Sequence, residues 1–257
     1  MESFILFAVY FLVFFAGAAF GSFTNVIIDR LPNKKSLLHP ASHCDHCHKR
    51  IARYDLIPVV SYLLLRGRCR YCQKNVPFRV FLVELVCGLG ALFLYFSFPP
   101  VQALILFLVA ALVLGISLID IDHGIIPDEL LVAITGISII FIFVTGAASF
   151  PTHVLTGLVS FLFFLGIFLI TKQRGMGFGD VKYALVIGFL CSPIQAISSF
   201  YIAFLTGAVI SIILVVGGIK KLKGSTVPFG PFLSAGFVLS LVFERQIVYI
   251  LHAFLRF

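Results

Sequence analysis

The chain has 257 residues, 60% of them hydrophobic and 12% charged, with 19 Lys/Arg against 11 Asp/Glu and a formal charge of +8. Such a balance excludes an ordinary soluble domain and assigns the length to transmembrane spans and the loops between them. The basic excess by itself would suit a nucleic-acid partner, but its distribution along the chain argues against one.

Residues 4–28 form an apolar run long enough to span and read as a retained first helix rather than a cleaved signal, stopped by Pro32. Residues 29–79 change character, with 11 Lys/Arg against 3 Asp, and form the one sizeable extramembrane domain. A second span is expected at about 80–97, turning at Phe98-Pro99-Pro100, and a third at about 101–119. The acidic loop 120–129 follows, then spans at about 130–146 and 154–171. Gly175-Met176-Gly177-Phe178-Gly179-Asp180-Val181-Lys182 comes next, its glycines read as supplying unusual dihedrals and close approach. Residues 181–191 make a short or tilted sixth span, below the usual requirement of about 20 residues. A seventh covers about 194–217, and an eighth about 229–250 after a basic loop.

Short cytoplasmic loops collect Lys and Arg. Eight spans with an external N-terminus put 29–79, 120–129, 172–182 and 218–228 in the cytoplasm, with 17 of the 19 Lys/Arg. The charge is therefore a topology signal with some attraction to anionic lipid, and no nucleic-acid partner is expected. The fold class is an all-α polytopic membrane protein of about eight transmembrane helices with a small zinc-ribbon-like cytoplasmic domain. Its divisions are 1–28 (first helix), 29–79 (basic zinc-binding domain) and 80–257 (transmembrane domain).

Cys44-Asp45-His46-Cys47 and Cys69-Arg70-Tyr71-Cys72 are two C-x-x-C knuckles 21 residues apart. Their spacing fits a tetrahedral zinc site; four sulfur ligands leave no position for water, so the zinc is structural. A domain of this size needs such a staple. A redox dithiol is the competing reading, and His43, His46 and His48 are read as spectators. Cys87 and Cys191 fall inside spans and are read as packing residues.

Asp120 ends the third span and Asp180 opens the sixth, both on the cytoplasmic side by the charge argument. A carboxylate at the edge of a buried apolar helix is expensive and marks a functional site by default. Two carboxylates in contact share one proton, and such a pair takes a proton from water and polarises a peptide carbonyl. The alternative is helix capping or pairing with Lys, which suits Asp128-Glu129 just after Pro127. Asp122 remains a rival to Asp120 at this point.

Several motifs, in order, resemble the prepilin peptidases, the type IV leader peptidases of bacterial pilus, competence and type II secretion systems. They are Gly21-Ser22-Phe23-Thr24-Asn25-Val26 with Arg30-Leu31-Pro32, the cysteine tetrad enclosing Ile57-Pro58-Val59-Val60-Ser61-Tyr62, and Arg66-Gly67-Arg68-Cys69-Arg70. Glu84-Leu85, Asp120 seven residues before Pro127-Asp128, Gly177-Phe178-Gly179-Asp180-Val181-Lys182 and Pro228-Phe229-Gly230-Pro231 complete the set. The resemblance implies an intramembrane aspartic peptidase that cuts the basic leader of prepilin or pseudopilin substrates, typically after a glycine. It makes Asp120 the first catalytic aspartate and Asp180 the second. Lys182, at the motif's basic position, is read as anchoring the helix end at the interface, with attraction to Asp180 as the alternative.

Bacterial members of that family commonly also transfer a methyl group from S-adenosylmethionine to the new N-terminal amine. By resemblance this chain keeps the domain associated with that activity, although it has no glycine-rich nucleotide loop. Glu84 is a candidate for the ammonium of the methyl donor or substrate, with an ion pair to Arg79 or Arg30 as its structural alternative. Asn25 and Arg30 are further cofactor-binding candidates, Asn25 with a purely interhelical role as alternative. The implied location is the bacterial inner membrane, with the catalytic loops and the zinc domain facing the cytoplasm. Pilin-like substrates and the bilayer are the expected partners, and a homo-oligomer is left open. Outside this class, a proton-coupled transporter or scaffold with a structural zinc knuckle would share the acids and the cysteines. The chain shows no convincing internal repeat of the transporter kind.

Overall fold

A computed structural model describes residues 2–172, 175–218, 227–243 and 246. Arg174, the lysines at 220, 221 and 223, Arg245, Arg256 and the end of the eighth expected span lie outside them. Among the described residues there is no named strand, and the α-helices are α1 Glu2–Arg30, α2 Val60–Leu64, α3 Phe78–Ser97, α4 Pro100–His123, α5 Asp128–Gly146, α6 Phe150–Ile170, α7 Phe178–Leu190, α8 Pro193–Val216 and α9 Gly230–Val242. Six of these, α1, α3, α4, α5, α6 and α8, are long and apolar enough to cross a membrane. α7 and α9 have 13 residues each, about 20 Å at 1.5 Å per residue against a core of about 30 Å. The count of eight spans is therefore approximate: six full-length helices and two short ones.

The chain divides into two compact units, Met1–Gly115 and Ile116–Phe257. In the first, α1 packs along α3 through small residues. A Cβ on Gly17 would fall 2.5 Å from Ala91 Cβ, and one on Gly21 2.9 Å from Glu84 Cα. Gly17 and Gly21 are four apart on one face of α1, which lets the backbones approach where apolar burial gives no drive between helices. Asn25 adds a polar link, its Nδ2 donating to Val80 O at 3.1 Å.

In the second unit α7 packs on α6, and α9 on α8. A Cβ on Gly157 would lie 3.1 Å from Leu185 O, and Gly236 abuts the Ser199 carbonyl. Fully buried Phe164 of α6 gathers Phe200 and Phe204 of α8 with Phe229, at ring-centroid distances of 4.9, 5.6 and 6.5 Å. Phe229 is the N-cap of α9, so this aromatic cluster sets where α9 begins.

Candidate active site

Asp120 does not lie in a loop: α4 continues through it to His123. The helix ends at Gly124, whose φ of +67 suits glycine and whose amide donates to Asp120 O at 2.9 Å. Two residues apart on a helix are about 200° apart around it. Asp120 is accordingly buried, 6% exposed, while Asp122 is exposed.

Asp180 occupies the third position of α7, after the N-cap Gly177. It is 7% exposed, and its Oδ2 accepts from Gly177 N at 3.0 Å. A carboxylate there satisfies one of the orphan amides at the helix start. None of Gly175, Gly177 and Gly179 has a positive φ, so these glycines do not supply unusual dihedrals. Their use is close approach: a Cβ on Gly179 would lie 3.3 Å from Ile126.

Asp120 is held in the same manner by a residue distant in sequence, Gly230 N donating to its Oδ2 at 2.9 Å. Gly230 opens α9, so each aspartate accepts from an amide at the start of a short helix. The two carboxylates are near enough to interact electrostatically. Lys182, two residues after Asp180, forms an ion pair with Asp128 on the first turn of α5. It thus joins α7 to α5, and Asp128 has a lysine partner as the capping-or-pairing alternative expects. Beneath α9, the Tyr183 hydroxyl meets Ser234 Oγ at 2.8 Å, and Ser234 donates to Gly230 O at 2.9 Å. In sequence Gly230 belongs to the resembling motif Pro228-Phe229-Gly230-Pro231 without a role of its own, and Tyr183 and Ser234 carry no signal; the prolines of that motif mark a helix start.

In the first unit, both cysteine knuckles fold alike. Cys44 N donates to Lys49 O at 3.0 Å and Cys69 N to Lys74 O at 2.9 Å, with His48 and Gln73 at φ +55 and +57 after each second cysteine. The sulfurs of Cys44, Cys47, Cys69 and Cys72 all lie within 4.8 Å of one another, with Cys44 and Cys72 3.8 Å apart. Four thiolates at about 2.3 Å from one tetrahedral zinc are about 3.8 Å apart. The cluster fits a metal ion. The Arg70 guanidinium beside Asp55 forms an ion pair at 2.6 Å and holds that carboxyl below its ordinary pKa. Cys87 is buried against Gly21 in α3, whereas Cys191 is the C-cap of α7 rather than a span residue.

A cavity of about 1000 Å³ lies within this unit, lined among others by Ser22, Asn25, Arg30, Tyr62, Arg79 and Glu84. Glu84 is 5% exposed and its Oε2 accepts from Val59 N at 2.8 Å. Arg79 pairs with Asp29, and Arg30 donates to Ser36 O and Pro40 O at 3.0 and 2.8 Å. Asn25 is also 5% exposed, and its Oδ1 is buried with no hydrogen-bond partner. The structure therefore brings Asn25, Arg30 and Glu84 to one cavity, and Asp120 and Asp180 to another site in the second unit.

Residues 106–212 match the Type IV leader peptidase family, and residues 15–98 the Bacterial Peptidase A24 N-terminal domain. A protein of Escherichia coli O78:H11, "Type 4 prepilin-like proteins leader peptide-processing enzyme", is 31% identical over 86% of this chain and 88% of its own length. The chain belongs to the type IV leader peptidase family. A "Prepilin leader peptidase/N-methyltransferase" of Stutzerimonas stutzeri is 29% identical over 90% of this chain and 89% of the relative. One of the same name in Dichelobacter nodosus is 28% identical over 91% and 93%. No solved structure matches. With six membrane-length helices, this family member is a multi-pass membrane protein.

Proposed function

We propose that this chain is an intramembrane aspartic endopeptidase that removes the basic leader of type IV prepilin-like proteins at the cytoplasmic face of the inner membrane. Asp120 and Asp180 are its catalytic pair. The observation that carries this reading is the burial of both carboxylates in one unit, each with its Oδ2 fixed by a glycine amide. In the reaction, one carboxylate accepts a proton from water as its oxygen attacks the scissile carbonyl. The other, protonated, donates to the carbonyl oxygen, and collapse delivers a proton to the departing amine. Acids at the ends of apolar helices keep the pair accessible to water. The pilin's own apolar helix lies in the bilayer and delivers the cleavage site to the acids.

The same chain N-methylates the new N-terminus, as the names of its relatives say of them. S-adenosylmethionine supplies the methyl group when bound. The residues of the first unit fit it: the cavity is large enough for a nucleoside, and the unpartnered Asn25 Oδ1 and the Glu84 carboxylate are acceptors suited to an ammonium. Arg30 lines the same cavity as the candidate for the carboxylate end. The metal of the cysteine cluster is zinc in a structural role, all four ligands being sulfur. The orientation that puts this domain in the cytoplasm rests on the distribution of Lys and Arg.

The test is cleavage of a model prepilin in liposomes with S-adenosylmethionine present, read by mass spectrometry, for wild type, Asp120→Asn, Asp122→Asn and Asp180→Asn. Cleavage by wild type and Asp122→Asn but not by the other two, with one methyl added to the product, is the expected result. Normal cleavage by Asp120→Asn and Asp180→Asn overturns the aspartic mechanism.

A further inference from the structure

Gly230, Ser234 and Tyr183 have no place in the reaction as written, yet they form a continuous chain that ends on Asp120. Ser234 has one hydroxyl proton and gives it to Gly230 O at 2.9 Å, so at the 2.8 Å contact Tyr183 is the donor. The Gly230 amide faces the other way and donates to Asp120 Oδ2 at 2.9 Å. Gly230 is thus held on both sides: its carbonyl, in the peptide group shared with Pro231, accepts from Ser234, and its N–H, in the neighbouring peptide group shared with Phe229, holds the aspartate. Tyr183 is fully buried and Ser234 nearly so.

Steric evidence agrees. A Cβ on Gly230 would lie 2.7 Å from Asp120 Oδ2 and 3.2 Å from its Cγ. Any side chain there displaces the carboxylate or the start of α9. Tyr183 stands three residues after Asp180 on α7, so this strut runs from the helix of one aspartate to the carboxylate of the other.

We propose that Gly230 is a positioning residue of the peptidase reaction, its N–H fixing Oδ2 of Asp120, and that the Tyr183–Ser234 pair anchors Gly230 by its carbonyl, one peptide group along from that N–H. This rests on Asp120 being a catalytic carboxylate. The strut joins α7, through Tyr183, to α9 and then to Asp120, so the two acids are registered by tertiary contacts and not by the sequence that separates them. Oδ2 is held, and Oδ1 has no hydrogen bond among the described residues, leaving it for water or substrate.

The experiment uses the full-length protein in nanodiscs with a synthetic prepilin peptide carrying a basic leader, a glycine at the cut and an apolar helix. Gly230→Ala is expected to lose about 100-fold in kcat with little change in KM, the cost of misplacing a reacting group by about 1 Å. Ser234→Thr and Ser234→Val add the same bulk and differ only in the hydroxyl. The Thr variant is expected to exceed the Val variant by about tenfold in kcat, the worth of one hydrogen bond. Tyr183→Phe, which keeps the ring and removes the donor, is expected to fall in kcat in the same direction. A Gly230→Ala protein with wild-type kcat, or equal rates for the Thr and Val variants, overturns the proposal while the peptidase reading stands.

A second readout needs no turnover: the rate at which dicyclohexylcarbodiimide modifies Asp120, followed by peptide mass spectrometry. A rate altered by Gly230→Ala but not by a Gly90→Ala control supports the positioning contact even if wild type cleaves no prepilin, an outcome that would instead remove the peptidase reading. An unaltered rate overturns the contact.

Discussion

The amide of Val59 donates to the buried carboxylate of Glu84 at 2.8 Å, and Val59 holds a φ of +63 while it does so. A β-branched residue with positive φ is an outlier that costs about 1–3 kcal/mol and persists only where its surroundings hold it. Glu84 therefore has a structural duty, tying Val59, which precedes α2, to α3, in addition to facing the cavity. The two duties separate by substitution. Glu84→Gln keeps an acceptor for Val59 and is expected to change thermal stability little while abolishing methyl-donor binding. Glu84→Ala leaves the Val59 amide without its partner and is expected to cost about 1–3 kcal/mol as well. Thermal unfolding alongside equilibrium binding of S-adenosylmethionine reads both. A Glu84→Gln protein that binds the donor normally would take Glu84 out of the methyl-donor site.

The sulfur cluster predicts one metal ion per chain. Elemental analysis of the purified protein is expected to find one zinc, and Cys69→Ser or exhaustive chelation to remove it. Structural zinc is part of the folding energy of its domain. Metal loss is expected to open residues 29–79 to trypsin, with the fragment pattern read by mass spectrometry. A chain without bound metal that resists trypsin as the metal-loaded one does would deny the cluster its structural role.

The ion pair between Lys182 and Asp128 is partly exposed, with side-chain exposures of 35% and 66%. Pairs of that kind contribute about 0.2–1 kcal/mol. Lys182→Met is expected to shift stability by no more than that, yet to lower cleavage, because it frees the first turn of α7 beside Asp180. The charge exchange Lys182→Asp with Asp128→Lys is expected to recover most of the cleavage rate. If Lys182→Met cleaves normally, the pair does not position Asp180.

The contact of α1 with α3 predicts an asymmetry among glycines. Gly21→Ala places its Cβ 2.8 Å from Cys87 Cβ and 2.9 Å from Glu84 Cα, against backbone that cannot give way. A cost of about 1–3 kcal/mol is expected. Gly17→Ala meets Ala91 Cβ and is expected to be partly rescued by Ala91→Gly. Gly90→Ala, on the same helix with nothing within 4 Å, is expected to be neutral or to stabilise by about 0.5–1 kcal/mol. Thermal unfolding in detergent measures all three. Equal effects at Gly21 and Gly90 would contradict the packing.

Much was legible in advance. The apolar runs locate all six long helices, because a membrane-crossing helix must be apolar along its whole length. The cysteine cluster was legible because paired cysteines three apart present both sulfurs from one tight turn. The two short helices were less so: α7 reads as apolar from 181, yet it begins at Phe178 because Asp180 satisfies a backbone amide at its start. Placing 120–129 in a loop misjudged α4, which ends only where Gly124 takes a positive φ.

The sequence by itself determined which residues are the candidates for chemistry: two acids at the edges of apolar segments, four cysteines, and a polar trio of Asn25, Arg30 and Glu84. Those are local facts, set by side-chain type and spacing. Only the tertiary structure decided which of Asp120 and Asp122 is buried, and which partner each acid takes. Gly230 is 110 residues from Asp120, and Asp128 54 from Lys182. Such partners follow from how helices cross, and crossings depend on small residues and aromatic clusters whose meaning appears only when both surfaces are in place.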